Sequence, residues 1–147
     1  MVDKGSRTKK RQPKVIKDWG GVVLAAGKGA RMKSRVPKVL HQVCGKAMVL
    51  YPVEAIKSAG IERTVIVVSP QTQKSVQALL GMSTEYSLQQ KPLGTGNALQ
   101  QVVSLLKGQV EHLLVMYADC PLVESSTLAD LISLHLSTEA DVTLLTA

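Results

Sequence analysis

The feature that most constrains this chain is a series of short, unbroken apolar runs separated by segments of helical period. Val22–Ala26, Val65–Val68, Leu113–Tyr117 and Val142–Leu145 are continuous rather than alternating, and a weaker run lies at Tyr86–Leu88. A strand with one wet face alternates apolar and polar residues, whereas a strand covered on both faces by helices reads as a continuous run. Between the runs, Tyr51–Ala59 reads as a helix whose Pro52 is tolerated only in a first turn. Thr72–Leu80 reads as a short helix ending at Gly81. Ala98–Lys107 gathers Ala98, Val102, Leu105 and Leu106 on one face and closes at Gly108. Leu128–Leu136 does the same with Leu128, Leu131, Ile132 and Leu136, and Thr127 with Asp130 forms the expected capping pair. Strands alternating with helices require right-handed crossovers. The expectation is therefore an α/β fold, a Rossmann-like three-layer sandwich around a mostly parallel sheet. In such sheets ligands bind beyond the carboxyl ends of the strands. Three loops follow strand ends, at Gly27–Lys38, Gln89–Gly96 and Ala118–Pro121, and all three should open toward one rim.

Charge narrows the ligand. The 147 residues are 45% apolar and 20% charged, as in a single globular domain, and carry a net charge of +7. Residues 1–19 hold seven Lys/Arg against two Asp. They are read as a solvated basic tail rather than a nucleic-acid arm, since no aromatic residue interleaves the charges to stack on a base. In the body, Lys28, Arg31, Lys33, Arg35, Lys38 and Lys46 occupy nineteen residues without one acid. A positive field confined to one loop points to a specific anionic ligand. No apolar run approaches membrane-spanning length, and no apolar stretch follows the early positive charges as in a secretory signal. Cys44 and Cys120 share no metal-ligand spacing and suit a reducing cytoplasm. His41, His112 and His135 show no ligand spacing either.

Three blocks can carry chemistry. In Leu24-Ala25-Ala26-Gly27-Lys28-Gly29-Ala30-Arg31-Met32, Gly27 and Gly29 let the backbone turn closely around a ligand and aim N–H groups at phosphate oxygens. Arg31 offers a planar fork for two oxygens, and Lys38 adds a point charge after Pro37. The block is neither a Walker A loop, lacking Gly-Lys-Ser/Thr, nor a dinucleotide fingerprint, lacking its third glycine. In Leu88-Gln89-x-x-x-Leu93-Gly94-Thr95-Gly96-x-Ala98, the amide of Gln89 has both a donor and an acceptor for a base edge. In Met116-Tyr117-Ala118-Asp119-Cys120-Pro121-Leu122, Asp119 follows a strand and can hold Mg²⁺, which takes one or two carboxylates plus phosphate oxygens.

Taken with Pro37-Lys38-Val39-Leu40-His41 and Gly45-Lys46-x-Met48, these blocks closely resemble the N-acetylglucosamine-1-phosphate uridylyltransferase family, within the larger class of sugar-1-phosphate nucleotidyltransferases. The likeness covers residues 20–147 and not the tail. Molybdenum-cofactor guanylyltransferases begin instead with Leu-Ala-Gly-Gly, and isoprenoid-pathway cytidylyltransferases follow Pro-Lys with Gln. Two positions depart from the family pattern: Ala30 for Thr or Ser, and Ala118 for Gly.

The resemblance implies transfer of UMP from UTP to N-acetylglucosamine 1-phosphate, for cell-envelope precursors made in the cytoplasm. It assigns Arg31 and Lys38 as catalytic groups on the phosphates. It assigns Leu24, Ala25, Ala26, Gly27, Lys38, Gln89, Gly94, Thr95, Tyr117, Ala118 and Asp119 to the nucleotide and substrate, with Mg²⁺ on Asp119. It also implies that residues 20–147 are the N-terminal part of the catalytic domain. The sugar pocket, an asparagine as second metal ligand and a β-helix acetyltransferase domain would lie further on. Val142–Leu145 would then be an unfinished sheet edge, which favours self-association. Three readings remain open: this enzyme, a module that holds UTP and Mg²⁺ without turnover, and a nucleotidyltransferase for another sugar phosphate or cofactor. A basic protein associating with nucleic acid through the tail ranks behind these.

Overall fold

The computed structural model describes residues 16–27, 29 and 32–146. Most of the basic tail, together with Lys28, Ala30 and Arg31, lies outside the described residues. In chain order the elements are β1 (Trp19–Leu24), β2 (Gln42–Val43), β3 (Lys46–Ala47), α1 (Leu50–Ser58), β4 (Thr64–Val68), α2 (Gln73–Leu80), β5 (Glu85–Leu88), α3 (Thr95–Leu106), β6 (His112–Tyr117) and α4 (Ser125–Thr138).

Four strands make a parallel sheet in the order β5-β4-β1-β6, with Val22 level with Val65 and Val115, and Val23 level with Ile66 and Met116. The chain builds outward from β1 through α1 and α2, and α3 then carries it back to the far side of β1. That reversal opens a crevice beyond the carboxyl ends of β1 and β6.

Alternate residues of the strands feed two cores. Val23, Ile66, Val68, Leu114 and Met116 pack with Ile56 of α1, Val76 of α2, and Leu128 and Ile132 of α4. Val22, Val65 and Val67 face the opposite way, under Ala98, Val102 and Leu106 of α3. Each such side chain contributes roughly 1.5–3 kcal/mol when fully buried. This is the three-layer sandwich that the apolar runs predict. Close packing also explains Gly21, where a Cβ would lie 2.7 Å from Ile56 Cγ2.

The structure corrects several details. β1 opens at Trp19, inside the stretch read as tail, and Ile16 N–H already bonds the Gly60 carbonyl at 2.9 Å. α3 begins at Thr95, a turn before the apolar face starts, because Gly94 supplies the break with φ 95° and ψ 177°. α4 begins after Glu124, so Thr127 and Asp130 lie within the helix and do not cap it.

Val142–Leu145 is not a strand. It forms no ladder with β6; its side chains instead border an apolar groove shared with Leu113 and Val115. The Thr143 hydroxyl lies 2.9 Å from His135 Nδ1. β6 is itself covered on one face only, with Leu113, Val115 and Tyr117 at 45%, 37% and 52% exposure. A continuous apolar run thus signalled two covered faces where one is covered, because α3 reaches across β1 and β4 but not β6. Within the four-stranded sheet the edge strands are β5 and β6.

Candidate functional site

The carboxyl end of β1 is pinned before it turns. Ala25 N–H donates to the Val67 carbonyl at 2.8 Å, and Ala118 N–H donates to the Leu24 carbonyl at 3.1 Å. Both Ala25 and Ala118 are buried in the core beneath the turn. Gly29 then adopts φ 59°, and an added Cβ would lie 2.7 Å from Lys38 Cβ. Glycine is therefore required there twice, by conformation and by contact.

Lys38 opens a single 3-10 turn, Lys38–Leu40, after Pro37, and Val39 plugs that turn into the core at 4% exposure. A small hairpin of β2 and β3, turned at Cys44 and Gly45 with positive φ at both, braces the turn from behind. Val49 N–H closes the brace onto the Val39 carbonyl at 3.0 Å. Lys38 thus stands on a fixed base. Its Nζ forms an ion pair with the Asp119 carboxylate, which the end of β6 delivers from 81 residues away. Both side chains remain one-third exposed, 33% and 34%. The ammonium and the carboxylate accordingly hold each other while staying open to an incoming ligand.

The third loop completes the enclosure. Gln89 follows β5, and its backbone N–H bonds the Val68 carbonyl at 2.8 Å. Its side chain is buried at 6% exposure, and its Nε2 donates to the Gly94 carbonyl and to Asn97 Oδ1 at 3.1 and 3.0 Å. The three loops surround one cleft of about 680 Å³, within the usual range for small-molecule sites.

Of the residues that the sequence singles out, Leu24, Ala26, Gly27, Lys38, Gln89, Gly94, Thr95, Tyr117 and Asp119 line this cleft. Ala25 and Ala118 do not: they support it from the core. Arg31 lies outside the described residues. Met32, Val39, Pro92 and Ala98 also line the cleft and were not anticipated as site residues. Val39 carried a signal, since it falls inside the Pro37–His41 string. Asn97, which holds Gln89, occupies the position that the Gly96-x-Ala98 motif leaves open.

The basic loop is less uniform than its sequence. Lys46 turns away from the cleft, bonding Glu54 at 2.6 Å and lying 4.0 Å from the centre of the Tyr51 ring. His112 and His135 pack against Trp19 and each other in the core wall below β6, away from these loops. Burial, and then the neighbouring Asp119 carboxylate, push the Cys120 thiol up, with Lys38 opposing. Cys120 is therefore a protonated packing residue beside the cleft.

No group of three His, Cys, Asp or Glu that could cage a metal occurs among the described residues. A single Asp119, one-third exposed on a cleft wall, does fit a hard cation that arrives with phosphate oxygens and keeps its waters.

A parallel sheet with a crevice at its reversal point, walled by a glycine turn and a cation–carboxylate pair, defines a nucleotide-binding type of α/β domain. Residues 21–147 match the MobA-like NTP transferase domain, and the chain belongs to that family. It is 46% identical over 126 residues to the bifunctional protein GlmU of Exiguobacterium sibiricum, a match covering 86% of this chain and 28% of that protein. With the bifunctional protein GlmU of Pelotomaculum thermopropionicum the identity is 43% over 130 residues, covering 88% and 28%. The chain thus spans little more than a quarter of the length of these relatives. Among solved structures, Rv0371c of Mycobacterium tuberculosis H37Rv superposes with a TM-score of 0.71 at 20% identity, over 82% of this chain and 62% of that one. A second structure of Rv0371c, in complex with manganese, superposes at 0.67 with 19% identity, over 82% and 60%. At such identities the likeness is one of fold. No helix among the described residues is long and apolar enough to cross a membrane.

Proposed function

We propose that the cleft holds UTP for transfer of UMP to N-acetylglucosamine 1-phosphate, giving UDP-N-acetylglucosamine and pyrophosphate for cell-envelope synthesis in the cytoplasm. The observation that carries this reading is the meeting of Lys38, Asp119 and Gln89, from three separate strand ends, around one nucleotide-sized cleft. The relatives support it in name, and the substrates follow from the motif resemblance.

In the proposed reaction an oxygen of the sugar phosphate attacks the α-phosphorus of UTP in line. The new P–O bond forms as the bond to the bridging oxygen breaks, and the electron pair leaves on pyrophosphate. A phosphate monoester has its second pKa near 6 and is already mostly dianionic at neutral pH. It needs no general base, and no Ser/His/Asp or Cys/His arrangement occurs among the described residues. Positioning and charge neutralisation supply the catalysis.

Lys38 would bind the phosphates around the reacting centre once they separate it from Asp119. The backbone at Gly27 and Gly29 would wrap the phosphates, and Arg31, by resemblance, would take the leaving pyrophosphate. Asp119 would hold Mg²⁺, which neutralises phosphate charge when bound. Gln89 and the start of α3 would face the base, with Leu24, Ala26 and Tyr117 forming apolar walls. The second reading is a module that binds UTP without turnover.

Thermal-shift titration with UTP, CTP, GTP and dTTP in the presence of Mg²⁺ tests the binding half. Ligand at a hundred times its dissociation constant adds about 2.7 kcal/mol, readily visible in a domain this size. A preference for the uracil-type bases is expected, and equal responses to all four would remove base recognition. Pyrophosphate release from UTP with N-acetylglucosamine 1-phosphate, against other sugar 1-phosphates, tests the chemistry. UTP binding with no release leaves the module reading.

A further inference from the structure

Gln89 enters the cleft with half of its side-chain amide engaged. Nε2 donates to the Gly94 carbonyl and to Asn97 Oδ1, which uses both of its hydrogens. A backbone carbonyl only accepts, so the Gly94 contact fixes which end of the amide is nitrogen. Oε1 is the end left over. Nothing among the described residues donates to it, and no buried side-chain polar atom among those residues lacks a partner. Oε1 therefore lies at the surface of the cleft that Gln89 lines. The amide that in sequence offers both a donor and an acceptor reaches the cleft as an acceptor alone.

We infer that Asn97 is the positioning residue that sets base specificity: the Gly94 carbonyl holds one hydrogen of Gln89 Nε2, and Asn97 occupies the second, so that only Oε1 meets the base. An acceptor fixed there takes a pyrimidine that carries a hydrogen on its ring N3, as uracil does. It opposes cytosine, whose N3 is a lone pair. Leaving two acceptors face to face in a buried site costs the desolvation of both. Recognition by matched polar groups discriminates more sharply than recognition by shape.

The surroundings complete the pattern. Gly94 caps α3 without any side-chain hydrogen bond, so the first N–H groups of that helix have no partner within it. Gly94 and Thr95 border the cleft beside Gln89. They offer donors for the carbonyl oxygens that flank a uracil N3–H. A fixed acceptor with donors next to it is complementary to that edge.

This inference rests on the uridylyl-transfer reading and names the residue that gives the site its base preference. The test is titration of the full chain with UTP and with CTP, in Mg²⁺, for the wild type, Asn97→Ala and Asn97→Asp. Loss of one such hydrogen bond corresponds to about a tenfold fall in the UTP-to-CTP affinity ratio for Asn97→Ala. Asn97→Asp keeps an acceptor for Nε2, and its ratio is expected to stay near that of the wild type even if its charge weakens both nucleotides. An unchanged ratio in Asn97→Ala, or equal loss of the ratio in both variants, overturns the inference while leaving the uridine reading in place. A wild type that binds UTP and CTP alike overturns that reading as well. General loosening of the fold lowers both affinities together and does not move the ratio.

Discussion

The two ends of the cleft are built by opposite means. At the end proposed for the phosphates, Lys38 and Asp119 are charged and one-third exposed, and the backbone turns through glycines. At the end proposed for the base, Gln89 is neutral, 6% exposed, and held by two short-range hydrogen bonds. Charge at a wet surface attracts any polyphosphate and can exchange partners when one arrives. A buried neutral network exchanges nothing cheaply, and each of its atoms is answerable for a specific match. Under the proposed function, affinity and turnover would belong to the first end and choice of base to the second.

The largest break in that division is Lys38→Ala. Removing one preorganised charge commonly costs on the order of 10²–10³ in rate, and pyrophosphate release should fall by that much while the UTP-to-CTP preference persists. The fold should survive, because Val39 and not Lys38 anchors the turn. Melting temperature measured beside turnover checks both halves. Wild-type turnover in this variant would end the role given to Lys38.

The two loop glycines divide the phosphate end further. Gly27 has no heavy atom within 4 Å of an added Cβ, whereas Gly29 has φ 59° and meets Lys38 Cβ at 2.7 Å. Gly29→Ala should destabilise the protein by about 1–2 kcal/mol through its left-handed conformation and displace Lys38 as well. Gly27→Ala should melt like the wild type and yet bind UTP more weakly by about 1–3 kcal/mol, the usual cost of an extra methyl in a filled space. Denaturation curves and UTP titrations on the pair separate the two effects. Unchanged UTP affinity in Gly27→Ala would mean that the phosphates do not rest on that backbone.

Much of this arrangement is legible in the sequence, and the failures share a cause. Continuous Val and Ile runs identified the sheet, and three loops after strand ends pointed to one rim. What one chain segment cannot report is what covers it. β6 and Val142–Leu145 are both apolar runs, but α3 packs on β1, β4 and β5 and leaves one face of β6 exposed, and the second run has no ladder partner. Likewise Ala25 and Ala118 occupy signature positions yet serve from the core, because their carbonyl and N–H groups tie β1 to its neighbours. Asn97 escaped notice because its task is a contact with another side chain, and no local pattern encodes that.

Salt should sharpen the comparison without any mutation. Exposed charges more than a Debye length from a partner are screened, that length being about 10 Å at 0.1 M and 3 Å at 1 M. UTP and CTP should therefore both weaken as ionic strength rises, through the partly exposed Lys38 end, and their ratio should hold because neutral contacts at Gln89 set it. Titrations of both nucleotides across a salt series read this directly. A ratio that collapses with salt would show that charge also reads the base.

The smallest effect concerns what holds the base end in place. β5, which leads into Gln89, is an edge strand, and Arg63 clamps it by a two-point contact to Glu85 at 2.8 and 2.9 Å while also donating to the Leu105 carbonyl of α3 at 3.0 Å. The hydrogen bond from Arg63 holds the Glu85 carboxyl below its usual value, against the opposing effect of burial. A carboxyl lowered in the folded state contributes stability that is fully present above its unfolded value, about 4.3, and is lost as pH falls through the folded value. Glu85 is 41% exposed at its side chain, so solvent screening keeps the contribution below about 1 kcal/mol. Glu85→Gln should therefore melt slightly lower than the wild type at pH 7, and the gap should close on acidification below pH about 4. The same variant should loosen UTP-to-CTP discrimination before it touches phosphate affinity, because Lys38 and Asp119 hang from β1 and β6 and not from β5. If phosphate affinity fell first, the two ends of the cleft would be one mechanical unit.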